Sequence, residues 1–148
     1  LFNGADILSF EFSANKGHDF KILKKVASGG ELSRIMLAIK TLLSRFKKLP
    51  TIIFDEIDTG VSGKISDNIA EIMANLGSSM QVFTITHLPQ VAAKGDHHFK
   101  VEKKTEGDKS LTKLSYLNTK QRIDEIAMML SGNKITDTAI AHAKQLMN

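Results

Sequence analysis

From Glu31 to Phe46 the apolar residues Leu32, Ile35, Met36, Ile39, Leu42, Leu43 and Phe46 recur at helical spacing, and Pro50 closes the run. Upstream, Ile7, Leu8, Phe10 and Phe12 largely alternate with polar residues, the mark of a half-buried strand. Asn15-Lys16-Gly17-His18 supplies turn chemistry, and Phe20, Ile22 and Leu23 restart the apolar pattern, so a hairpin is predicted. Downstream, Thr51-Ile52-Ile53-Phe54 is continuous rather than alternating, which predicts a strand buried on both faces of a parallel sheet. A second helix carries Ile65, Ile69, Ile72, Met73 and Leu76 on one face, with Gly77 placed as its C-cap. The run from Gln81 to Thr86 predicts the next buried strand, and strand, helix, strand at these lengths makes a βαβ unit with a right-handed crossover.

Beyond Pro89 the pattern changes. Two short strand candidates, His98 to Lys103 and Leu111 to Leu117, flank Thr105-Glu106-Gly107-Asp108 and predict a peripheral hairpin. Two helices follow, one over Gln121 to Leu130 stopped by Gly132 and one over Asp137 to Met147. No repeat, low-complexity tract or long linker interrupts the chain, so 1–148 reads as a single α/β domain.

Composition narrows the class. At 148 residues and 42% hydrophobic, one substantial core is expected. The absence of cysteine excludes disulfides, thiolate metal sites and a cysteine nucleophile, and fits a reducing cytosol. No apolar run approaches the about 20 residues of a membrane span, so no membrane partner is expected. Leu1 in place of an initiating methionine suggests a piece of a longer chain. The net charge of +4 is compatible with DNA or nucleotide phosphates, although a solvated surface is the better reading of any single lysine.

Three motifs carry candidate chemistry. Ser28-Gly29-Gly30-Glu31 opens the first helix, where small residues, a hydroxyl and free N–H groups make a phosphate site. Taken alone, Ser28 with Glu31 is better read as a plain capping box. Asp55 and Glu56 stand at the carboxyl end of an apolar strand, the edge at which open α/β sheets bind ligands. One carboxylate there can hold Mg²⁺ through water and its neighbour can orient or deprotonate an attacking water. Their bland alternative is a solvated acidic loop. Thr86-His87-Leu88-Pro89 ends the next strand, and His87 is placed to donate to a terminal phosphate or simply to sit in a polar loop.

In this order and on these elements, the three motifs resemble the signature, Walker B and switch-histidine motifs of ABC-type ATPases. The wording of Val26 to Arg34, of Phe54 to Gly63 and of Thr86 to Ala92 is similar to the RecN family of bacterial DNA-repair proteins. The resemblance extends through the last two helices and covers nearly the whole chain. It implies the C-terminal lobe of an ABC-type P-loop NTPase head, with a mostly parallel sheet, flanking helices and a peripheral β-hairpin. It further implies ATP as substrate, Mg²⁺ held through water by Asp55, Glu56 as general base and His87 as phosphate sensor. Ser28, Gly29, Gly30 and Glu31 would meet the nucleotide of a second head in a homodimer, with Asp58, Thr59, Gly60 and Ser62 forming the D-loop. Ser62 stands where the wider superfamily usually has aspartate, which puts that aspartate's role in doubt here.

No G-x-x-x-x-G-K-[ST] sequence is present. By resemblance that Walker A lobe lies in the N-terminal part of the full protein, beyond a long coiled coil, so this segment alone should be inactive. The full protein would be a DNA double-strand-break repair and recombination ATPase of the bacterial cytoplasm, associated with the nucleoid and engaging DNA. Two rivals remain open at this point: a head segment of another SMC or ABC-type ATPase, and a non-catalytic DNA-binding or dimerisation module. His97-His98 diverge on a strand and make a poor chelating pair. The pairs Lys24-Lys25, Lys47-Lys48 and Lys103-Lys104 are not interleaved with aromatics, which argues against base stacking. Met128, Met129 and Met147 read as core or interface.

Overall fold

The computed structural model describes residues 4–13, 17, 19–23, 29–106 and 109–148. Element order is β1 (Glu11–Phe12), β2 (Lys21–Ile22), α1 (Gly29–Lys47), β3 (Thr51–Asp55), α2 (Lys64–Gly77) and β4 (Gln81–Ile85). There follow α3 (Pro89–Lys94), β5 (Phe99–Glu106), β6 (Lys109–Tyr116), α4 (Thr119–Ser131) and α5 (Asp137–Met147). The expected α/β lobe with a peripheral hairpin is present. Its parallel component, among the described residues, is the single pair β3–β4, while β1–β2 and β5–β6 are antiparallel.

The β3–β4 register decides the site. Thr51 pairs with Gln81 and Asp55 with Ile85, so the two parallel strands end level and release their following residues side by side. Glu56 N–H still donates to the Ile85 carbonyl at 3.1 Å, carrying the ladder one step past β3. Burial on β3 alternates, with Ile52 and Phe54 inside and Ile53 59% exposed. The expectation of a strand covered on both faces is therefore corrected: nothing among the described residues covers the face of Ile53, Phe83 and Ile85. The continuous apolar run is real, but half of it stays open.

Around the closed face gather Leu37 of α1, Ile57 and Val61 of the following loop, Ile69, Ala70, Met73 and Leu76 of α2, and Val91 of α3. The buried stripe of α2 runs through Ser66 and Ala70 rather than Ile65 and Ile72, because small residues let the helix lie close to the sheet. Gly77 is the last helical residue and not the cap. Ser78 caps instead, with φ −67°, a right-handed conformation that needs no glycine.

A second core joins Ala93 of α3 to Ile126 and Ala127 of α4 and to Ala139 and Ala143 of α5. Asn118 and Gln121 form a reciprocal capping box at the start of α4, and Gly132 (φ 80°) ends that helix by donating to the Met128 carbonyl. Arg122 ties α4 to the end of α3, donating to the carbonyls of Ala93, Gly95 and Asp96. Ile7, Leu8 and Phe10 are exposed rather than half buried: β1 and β2 pair over only two residues each, and among the described residues no core cluster includes them. The turns predicted at Asn15-Lys16 and at Gly107-Asp108 lie outside the described residues, as does Ser28.

Candidate functional site

Asp55 ends β3 on the open face of the sheet, and Glu56 follows with φ 46°, the left-handed region that a glutamate rarely occupies. Two hydrogen bonds hold that conformation: the Thr59 hydroxyl and the Thr59 N–H both donate to the Glu56 carbonyl, at 2.8 and 3.2 Å. A strained residue held by its surroundings at the carboxyl end of a strand is the pattern of a functional position. Asp55 and Glu56 are both exposed, and the left-handed backbone at Glu56 breaks the extended run of β3 between them.

The turn then dives inward. Ile57 and Asp58 are buried, and Asp58 is 1% exposed. Its Oδ2 accepts the Thr86 hydroxyl of the neighbouring strand end. The Thr86 oxygen in turn accepts the Leu88 N–H at 2.9 Å, which shapes the turn that leads into Pro89 at the start of α3. His87 sits between, with its Nδ1 3.9 Å from Asp58 Oδ1 and its side chain 63% exposed. The structure thus brings Asp55, Glu56, Asp58 and His87 to one edge of the β3–β4 pair.

The start of α1 reaches the same loop. A side chain added at Gly30 would place its Cβ 3.2 Å from the Thr59 carbonyl and 3.7 Å from that of Gly60. Glycine at position 30 thus fits a tight seat against the loop backbone, and Gly60, at φ 73°, holds a left-handed conformation that favours glycine. Gly29 and Gly30 are within the first turn of α1, with Glu31 as the acidic residue that suits a helix N-terminus. Ser62 is exposed beyond Val61 and shares no hydrogen bond with this cluster.

Sequence reasoning missed Thr86 and the inward turn of Asp58. A threonine ending an apolar strand is common, and nothing in its spacing marks a partner 28 positions away. It also missed Arg122, whose role depends on where α3 ends. His97 and His98 have different surroundings: His97 Nδ1 lies 3.2 Å from the Tyr116 hydroxyl, while His98 Nδ1 is buried without a hydrogen-bond partner. Burial, with the Arg122 guanidinium beside it, pushes His98 below the usual histidine range. A 2.5 Å hydrogen bond to Glu125 holds the Lys100 ammonium above its ordinary value. Among the described residues no cluster of three or more His, Cys, Asp or Glu could hold a metal ion by protein ligands alone.

No family model matches the chain. A solved SMC ATPase structure, studied for ATP-driven dimerisation and DNA-stimulated activation, superposes with a TM-score of 0.59 at 23% identity, covering 77% of this chain and 68% of that one. The fold is that of a lobe of an SMC-type ATPase head. The chain is 44% identical over 146 residues to the DNA repair protein RecN of Halalkalibacterium halodurans, covering 99% of this chain and 26% of that one. The same identity and coverage hold for the DNA repair protein RecN of Haemophilus influenzae. Over nearly its whole length the chain matches a C-terminal segment of these RecN proteins, and it spans about a quarter of their length.

Proposed function

We propose that this chain is the half of an ATP-hydrolysing head that supplies the Walker B acids, the D-loop, the switch histidine and the signature helix of a DNA-repair protein. The observation that carries the reading is the level ending of β3 and β4, which presents Asp55, Glu56 and His87 at one sheet edge. Asp55, an exposed carboxylate at a strand end, suits a Mg²⁺ ion that keeps most of its water shell. When bound, that ion would neutralise phosphate charge. Glu56, turned aside by its left-handed backbone, acts as general base toward water. His87 orients the terminal phosphate by hydrogen bonding.

Ser28, Gly29, Gly30 and Glu31 serve the nucleotide of a second head, so the homodimer closes on ATP. The phosphate-cradling loop comes from the Walker A lobe elsewhere in the full protein. The uncovered apolar face of Ile53, Phe83 and Ile85, together with the exposed Leu42 and Phe46 of α1, suits burial against that lobe. DNA is engaged by the whole protein, in the bacterial cytoplasm. No helix among the described residues is long and apolar enough to cross a membrane.

This chain alone is expected to show no Mg²⁺-dependent ATP turnover, and turnover should appear when it is co-expressed with the Walker A lobe. Steady-state phosphate release from the two preparations checks this. Turnover by the chain alone above a Glu56→Gln control would contradict the reading.

A further inference from the structure

Among the described residues Asp58 is the one ionisable side chain buried to 1%. A buried carboxylate is costly unless its oxygens are bonded, and here the two differ. Oδ2 accepts the Thr86 hydroxyl, which itself is fixed by the Leu88 N–H. Oδ1 has no hydrogen-bond partner. The basic nitrogen facing it is His87 Nδ1 at 3.9 Å, on a side chain 63% exposed and so able to turn. A swing of about 1 Å would bring Nδ1–H to the roughly 2.8 Å of a charge-assisted hydrogen bond. With Nδ1 engaged, Nε2 is the ring nitrogen left free for a ligand.

We propose that Asp58 is a positioning residue for His87: it accepts the Nδ1–H of the histidine, fixes the ring and leaves Nε2 to meet the terminal phosphate. The Thr86 hydroxyl holds the carboxylate in that orientation. A histidine whose second nitrogen is held by a carboxylate has one ring orientation instead of several, so the phosphate contact forms without further ordering. The inference rests on the ATPase reading above. It differs from a D-loop role between heads in that Asp58 is 1% exposed and bonds within its own lobe, to Thr86.

A double-mutant cycle in the full-length protein tests it, comparing Asp58→Asn, His87→Ala and the pair by steady-state ATP hydrolysis, with ATP-binding stoichiometry to count folded sites. Asp58→Asn should lower kcat by about 10–100-fold, the scale for losing a group that orients a histidine, with KM little changed. In the His87→Ala background the same substitution should cost almost nothing further. A merely structural aspartate would cost the same factor in both backgrounds, and that result would overturn the proposal. Should Asp58→Asn reduce binding stoichiometry, Thr86→Val takes its place in the cycle with the same expected non-additivity. Loss of turnover in Glu56→Gln without loss in His87→Ala would overturn the inference and spare the ATPase reading. Unchanged turnover in both would overturn the two together.

Discussion

In the full-length protein, Glu56→Gln is expected to slow ATP hydrolysis about 10²–10⁴-fold while ATP still binds. Glutamine keeps nearly the same shape and a carbonyl that can hold water, but it cannot take a proton at neutral pH. The backbone at position 56 is held by Thr59 through the main-chain carbonyl, so the substitution leaves the turn intact. ATP-bound dimers should accumulate, since what parts the heads is removed while what joins them is kept. Asp55→Asn should fail differently. Losing charge beside Mg²⁺ weakens nucleotide engagement itself, so binding falls together with turnover. Filter binding of labelled ATP, beside phosphate release, separates the two. Unmodified turnover in Glu56→Gln, or the same binding defect in both variants, would show that these roles are misassigned.

The second large effect is on stability. Phe54 is completely buried, its ring lies under the Lys40 ammonium at 5.6 Å, and it packs in the core that seats β3 on α2. Truncation to alanine removes a ring from a site that the sheet register cannot collapse, and a loss of about 3–5 kcal/mol is expected. Phe54→Leu should lose markedly less, because it keeps most of the volume. Urea unfolding of the head, followed by circular dichroism, would check both. Because Asp55 follows directly, Phe54→Ala should also weaken ATP binding at temperatures where the head remains folded. A loss below that of Phe54→Leu would mean that the core is arranged otherwise.

Much of this was readable from residue order. The helical spacing of Leu32 to Phe46, the apolar run before Asp55 and the turn chemistry at Gly132 each follow from local rules, and the structure honours them. The edge that gathers Asp55, Glu56 and His87 was readable because strand ends in a βαβ unit must face one way. What escaped depends on distant partners. Continuous apolar runs announce burial on two faces, but Ile53 and Phe83 have no cover within the described residues, and on the proposed function that cover is the Walker A lobe. Asp58 reads as a loop acid until the Thr86 hydroxyl is seen beside it. The cap at Ser78 rather than Gly77 turns on a backbone angle that composition does not reveal. Gly30 was legible as a glycine needed for close approach, but the surface approaching it is the Thr59–Gly60 backbone of the same lobe.

The central claim is that one nucleotide is shared: this chain's acids and histidine serve its own head's ATP, while its signature helix serves the partner's. Mixing two inactive full-length variants tests that claim most directly. Ser28→Arg blocks the signature, and Glu56→Gln disables the base, so each alone should hydrolyse ATP poorly. In a mixed dimer, one site combines the intact Glu56 of the first chain with the intact Ser28 of the second. The mixture should hydrolyse ATP well above the sum of the two variants measured separately. A mixture that stays at that sum, although native mass spectrometry finds mixed dimers, would contradict it.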